Sequence, residues 1–212
     1  MRTHHAVAVP LAALIAGLLA VDTVVVAVTG ERTVVTDDEK GTLVTTLGTA
    51  VLLGATVLAC CVVVAREKAR FDAAGRVARA TRRPLLAGLG MLAAGSGLVH
   101  PLELVLDVQD GPVAAVSGLL AGLSLLLVFV PLLVLGLATL RHNPFGLGAR
   151  VLAALGPVVV LTVLLGIVAP DVASPVLLTG LALVGTSLIG VRAPGAAVRQ
   201  PGAGTPAGSV SA

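Results

Sequence analysis

The sequence predicts an all-α fold: a polytopic transmembrane bundle of six helices, with the N-terminus and the C-terminus both cytoplasmic. Three observations predict it. Only 12% of the 212 residues are charged, 57% are hydrophobic, and mean hydropathy is +1.05. A soluble domain carries roughly 25% charged residues, so most of this chain has no side made for water. The apolar residues gather in runs near the ~20 residues that cross a bilayer. The basic residues then partition between alternate loops, as the positive-inside rule requires of a membrane protein.

The elements follow in order. Span one covers about residues 6–29, after Arg2, His4 and His5. The start resembles a signal peptide, but the apolar run continues to Val28 with no small-x-small cleavage site, which predicts an uncleaved span. In the next loop, "TDDE" (Thr36–Glu39) matches a capping box for span two, about 41–65. Cys60 and Cys61 in that span are adjacent, without C-x-x-C spacing, and read as small apolar residues. Span three covers about 84–106 and opens on Pro84. Span four, about 112–140, follows Asp110 as a helix cap with Pro112 in its first turn. Spans five and six cover about 148–169 and 175–191, with Ser174 before Pro175 as a further cap. These spans form one transmembrane domain, 1–192. The tail, 193–212, is rich in Pro, Gly, Ala and Ser and is expected to be disordered.

Topology is the most specific signal. Arg66, Lys68, Arg70, Arg76, Arg79, Arg82 and Arg83 crowd the loop between spans two and three. Arg2, Arg141, Arg150, Arg192 and Arg199 flank alternate ends of other spans. Twelve of the fourteen basic residues therefore fall on one side of a six-span chain, and the opposite loops are net acidic. The expected location is the plasma membrane, multi-pass. The expected partners are the lipid bilayer and anionic lipids at the cytoplasmic face, where Arg66–Arg83 forms either a solvated topology loop or an amphipathic surface helix. In the second form Phe71, Ala74, Val77 and Ala78 face lipid. No nucleic acid partner is expected, because the chain has no Trp or Tyr to stack bases and its basic residues are confined to loops.

Span three carries the one polar stripe. On a regular helix Ser96, His100, Glu103, Asp107 and Asp110 fall within about 80° of one another. Such a stripe faces a helix bundle or water rather than lipid. Pro101 cannot donate to the carbonyl of Gly97 and is expected to kink the helix. Gly90, Ala93, Ala94 and Gly97 line an adjoining face that admits a close helix. Asp22 in span one and His100 each lie ~10 Å below the outer boundary, so an Asp22–His100 pair extended by Glu103 is one expectation. The other is that these are ordinary interfacial and capping residues.

Catalytic and cofactor chemistries fare poorly. Bis-histidine haem needs a second mid-span histidine, and His4, His5 and His142 lie toward the cytoplasmic side. Zinc at Asp22, His100 and Glu103 has no ligand-spacing motif behind it. Ser96 with His100 lacks a third group and an oxyanion site, so no catalytic residues are assigned. No metal and no cofactor are expected.

The Ala/Val/Leu/Gly spans, "LRHNPFGLGARVLAALG" and the short Pro/Gly-rich tail give the chain a generic resemblance to small six-helix actinobacterial integral membrane proteins of unknown function. That resemblance implies the fold and brings no site residues. The expected function is small-solute or proton transport through an outer-leaflet polar site. The alternative is a non-catalytic membrane scaffold or accessory subunit.

Overall fold

Backbone in hydrocarbon must close its hydrogen bonds internally, and within a single segment only a helix does so. The computed structural model describes residues 2–37, 40–106, 108, 111–139, 145–168 and 176–191, and all regular structure among them is helical. In order these are α1 (Thr3–Thr29), α2 (Leu43–Arg66), α3 (Lys68–Ala73), α4 (Arg76–Ala94), a π-turn (Gly95–Val99), α5 (His100–Leu106), α6 (Pro112–Ala138), α7 (Leu147–Val168) and α8 (Val176–Ser187). Five stretches are long and apolar enough to cross a membrane: Thr3–Thr29, Leu43–Arg66, Arg76–Leu106, Ala114–Ala138 and Leu147–Val168. The molecule is thus an all-helical bundle with the makeup of a membrane protein. Large apolar side chains such as Leu119, Ile167 and Val168 point outward, as lipid-facing residues do.

α8 is apolar but has 12 residues, about 18 Å at 1.5 Å per residue. A hydrocarbon core is ~30 Å thick. Residues 169–175, which include the start of the expected sixth span and the Ser174 cap, lie outside the described residues, as do Asp107, Asp110 and 192–212.

Several local expectations are corrected. The cap of α2 is Thr42, whose hydroxyl accepts from the N–H of Thr45, rather than Thr36 in "TDDE". Thr36 turns toward Asp22 instead. The basic segment is not one surface helix. Gly75, at φ 101°, takes a conformation that side chains with a Cβ avoid, and it breaks α3 from α4. From Arg76 the helix runs on through Pro84, so the third long helix starts eight residues before the expected boundary. Phe71 does not face lipid. It is fully buried and meets Phe145 edge-on, with ring centroids 4.9 Å apart. Ala78 is also buried, while Val77 is exposed.

Pro101 acts through the π-turn just before it, in which the N–H of His100 bonds the carbonyl of Gly95. Such wide turns are concentrated at functional sites. The π-turn carries Gly97 against α2, where a Cβ on Gly54 would lie 2.5 Å from the Cα of Gly97. The close approach expected of the small-residue face is made by Gly97 and, through its carbonyl, Ala93. Gly90 has open space beside it.

α1 packs on α2 and α8, α2 on α4 and α5, α4 on α6, and α7 on α6 and α8. One end of the bundle gathers four separate segments. His5 Nδ1 lies 3.0 Å from the carbonyl oxygen of Ser187. The N–H of Gly190 donates to Phe145, and that of Leu147 to Val191. Arg2 reaches Glu67. The described ends that flank the basic loops therefore meet at a single end of the molecule.

Candidate functional site

At the other end, α4 and α6 diverge. They touch at Gly88, where a Cβ would lie 2.7 Å from that of Leu127. Beyond that crossing the π-turn leans on α2, and a cavity of about 650 Å³ opens between the π-turn and α5 on one side and α6 on the other. Ser96, His100 and Glu103 all line it, facing Ser117, Gly118 and Ser124 of α6. Three residues of the sequence-predicted stripe thus line one cavity, Asp107 and Asp110 lie outside the described residues, and Leu102, Val105 and Leu106 are exposed.

The polar lining is uneven. Ser96, Ser117 and Ser124 donate their hydroxyls to the carbonyls of Leu92, Ala114 and Ala121 on their own helices. Each hydroxyl keeps acceptor capacity. Oε1 of Glu103 is buried with no hydrogen-bond partner among the described residues. A buried acceptor left unmet costs about 1–3 kcal/mol, more when charged. The cavity thus presents mostly apolar walls and a carboxylate oxygen in want of a donor.

Asp22 is not part of this cavity. It is buried, but both its oxygens accept from the loop after α1. Oδ1 takes the N–H of Thr33 at 2.8 Å and its hydroxyl at 2.6 Å, and Oδ2 takes the hydroxyl of Thr36 at 2.8 Å. The chain turns after α1, with the N–H of Gly30 closing on the carbonyl of Val26, and residues 33–36 fold back along the helix. The expected Asp22–His100 pair is therefore replaced by an Asp22–threonine latch. A polar loop lying beside a helix needs an acceptor within reach, and Asp22 supplies it.

The basic segment is engaged largely with itself. Arg70 Nε donates to Glu67 at 2.7 Å, and Lys68 pairs with Asp72 at 2.7 Å. Arg79 also pairs with Asp72. Arg82 closes the end of α2 by donating to the carbonyls of Val64 and Ala65. Arg66, Arg76 and Arg83 are exposed. The hydrogen bond from Lys68, against a smaller effect of burial, and the charges of Lys68 and Arg79 hold the Asp72 carboxyl below its ordinary value.

A second cluster escaped the sequence reading. Glu67, 2% exposed, sits where α2 gives way to α3. Its Oε1 lies 2.9 Å from Arg2 Nη1, 3.2 Å from His4 Nε2 and 3.5 Å from His5 Nε2. Burial pushes the Glu67 carboxyl up, yet hydrogen bonds from Arg70 and His4 and the charges of Arg2 and Arg70 outweigh it and hold the group below its ordinary value. Gly190 closes the far side. A Cβ there would lie 2.8 Å from Arg70 Nε and 3.0 Å from Glu67 Oε2. The only available hint was the pair "HH" before span one and a glutamate at the head of a basic loop. His4, His5 and Glu67 are also the one group of three or more His, Cys, Asp or Glu among the described residues whose ligand atoms are close enough to share a metal ion. No protein-family model, no curated protein and no solved structure matches this chain.

Proposed function

We propose that this chain is an integral membrane protein that takes a small solute, or a proton, at the Glu103 cavity and belongs to the transport class. One observation carries the reading: the buried, unpartnered Oε1 of Glu103 in the wall of an apolar cavity of about 650 Å³. Ligand pockets commonly have this makeup, apolar walls with a few placed polar groups, at volumes of ≈ 300–1,000 Å³. The matching solute is compact and mostly apolar and carries a hydrogen-bond donor or a positive charge, as a lipophilic amine does. Its donor meets Glu103, and the serine oxygens and His100 offer further polar contacts.

In this reading the chain crosses the plasma membrane six times, and α8 belongs to the sixth span, about 175–191. Both termini are cytoplasmic, and the cavity lies in the outer half of the bilayer. The gathering of the Arg2, Glu67, Phe145 and Gly190 segments at one end and the partition of basic residues support this arrangement. Arg66, Arg76 and Arg83, exposed at that end, are the contacts proposed for anionic lipids. Reporter fusions test the orientation. A fusion within 66–83 reads cytoplasmic and one within 31–40 reads external, and the reverse result removes the model of the membrane sidedness.

The test of function is flux in proteoliposomes, with a lipophilic amine and a pH-sensitive dye as the two probes. Wild-type protein moves one of them, and Glu103→Gln lowers that rate at least ten-fold. Equal rates in the two proteins, or no flux above empty vesicles, reject the transport reading and leave the scaffold or accessory-subunit reading in its place.

A further inference from the structure

The cluster at the basic end of the bundle brings three metal-ligating side chains, His4, His5 and Glu67, close together. The carbonyl of Ser187 only accepts, so His5 donates to it through Nδ1–H at 3.0 Å. The other ring nitrogen, Nε2, lies 3.5 Å from Oε1 of the Glu67 carboxylate, an approach that a proton or a metal ion between the two atoms makes favourable. Both side chains are almost fully buried, at 3% and 2% exposure. His4 Nε2 closes on the same oxygen at 3.2 Å.

We propose that His4, His5 and Glu67 form a binding site for a first-row divalent metal ion of the Zn²⁺ type. Two histidine nitrogens and a carboxylate oxygen are an established zinc donor set, with bonds of about 2.0–2.2 Å. Donors on such a tetrahedron stand about 3.4 Å apart. The two Nε2–Oε1 separations, 3.2 and 3.5 Å, match that edge, and all three donor atoms lie within 4.8 Å of one another. The surroundings also fit. A metal-bound histidine usually donates its other ring N–H to a carbonyl or carboxylate, as His5 does to Ser187. Arg70 holds Oε2 of Glu67 at 2.7 Å, which fixes the carboxylate and leaves Oε1 toward the histidines.

Arg2 is the obstacle and the lever. Its Nη1 occupies Oε1 at 2.9 Å, but its side chain is 66% exposed and swings into solvent at little cost. Metal binding therefore displaces Arg2 from Oε1 and requires His4 to be bare at Nε2 with its one ring proton on Nδ1: a neutral Nε2–H form moves that proton to Nδ1, and a doubly protonated form gives its Nε2 proton to water. The ion joins the start of α1 to the α2–α3 junction, and through His5 to the end of α8. Its role is a clip at the end of the bundle, separate from the Glu103 cavity.

The experiment uses the full chain in detergent, without an affinity tag, stripped with chelator and titrated with ZnCl₂. Bound metal is read by elemental analysis, and a Co²⁺ titration reports geometry by its visible absorption. One equivalent binds, thermal stability rises, and Co²⁺ gives the strong absorption of a tetrahedral site. His4→Ala and Glu67→Gln each weaken binding at least ten-fold. Arg2→Ala, which removes a competitor from an exposed position, tightens it. If Glu67→Gln fails to fold, His4→Ala and Arg2→Ala still decide. No binding at 100-fold excess of Zn²⁺, equal affinity in His4→Ala, or weaker binding in Arg2→Ala overturns the proposal.

Discussion

Asp22 sits in a long apolar helix, and its energetic partner decides how the end of the bundle away from Glu67 is built. Its carboxylate receives three hydrogen bonds, two on Oδ1 from Thr33 and one on Oδ2 from Thr36. Hydrogen bonds to a charged group are each worth about 1.5–3 kcal/mol net. Asp22→Asn keeps one carbonyl oxygen, retains the two Thr33 donors and loses the Thr36 bond, for a cost of about 1.5–3 kcal/mol. Asp22→Ala loses all three. Because the loop can relax toward water, its cost is about 3–5 kcal/mol rather than the full sum. Double-mutant cycles in reversible unfolding of the detergent-solubilised protein separate the partners. Asp22→Asn with Thr36→Val should show coupling of about 1–3 kcal/mol, as contacting residues do. Asp22→Asn with His100→Gln should be additive within ~0.5 kcal/mol, because the hydrogen bonds of Asp22 go to Thr33 and Thr36. Strong coupling of Asp22 to His100 together with additivity toward Thr36 would refute the latch and restore the direct pair.

Two further outcomes follow from the packing and the charge cluster. Gly54→Val places atoms 2.5–2.8 Å from the backbone of Gly97 and should destabilise the protein by about 1–3 kcal/mol or more. Gly48→Ala in the same helix meets nothing within 4 Å and should be neutral to stabilising by about 0.5–1 kcal/mol; thermal unfolding of the pair checks both. Glu67 has a folded-state pKa below its ordinary 4.5. Its contribution is therefore fully present above pH 4.5 and is lost as pH falls through the folded value. Melting temperature should drop on acidification below that point, and Glu67→Gln should flatten the drop; an unchanged slope would show that Glu67 is not responsible.

What the sequence disclosed depended on whether the signal was local. The long apolar runs fix the helices because hydrocarbon permits no other single-segment structure, and the helices Thr3–Thr29, Leu43–Arg66, Ala114–Ala138 and Leu147–Val168 coincide with long apolar runs of the sequence. Span three began early because Gly75, not Pro84, sets its start. The stripe of Ser96, His100 and Glu103 was legible because helical periodicity places residues of one element near one face, and all three line the cavity although the π-turn interrupts that periodicity. Partners on other elements were not legible. Asp22 was matched to His100 by depth alone, while the nearer threonines lay in a loop whose backward fold no periodicity describes. His4 and Glu67 are 63 positions apart, and their meeting depends on how α1 packs against α2 and α8.

Equilibrium binding of a lipophilic amine to the detergent-solubilised protein tests the central claim most directly. It compares wild type with Glu103→Gln, which removes the acceptor charge, and Ser117→Phe, which fills the cavity from the α6 side while leaving Glu103 in place. The account predicts saturable binding to wild type and at least ten-fold weaker binding to both variants. Binding of equal strength in all three proteins would contradict it.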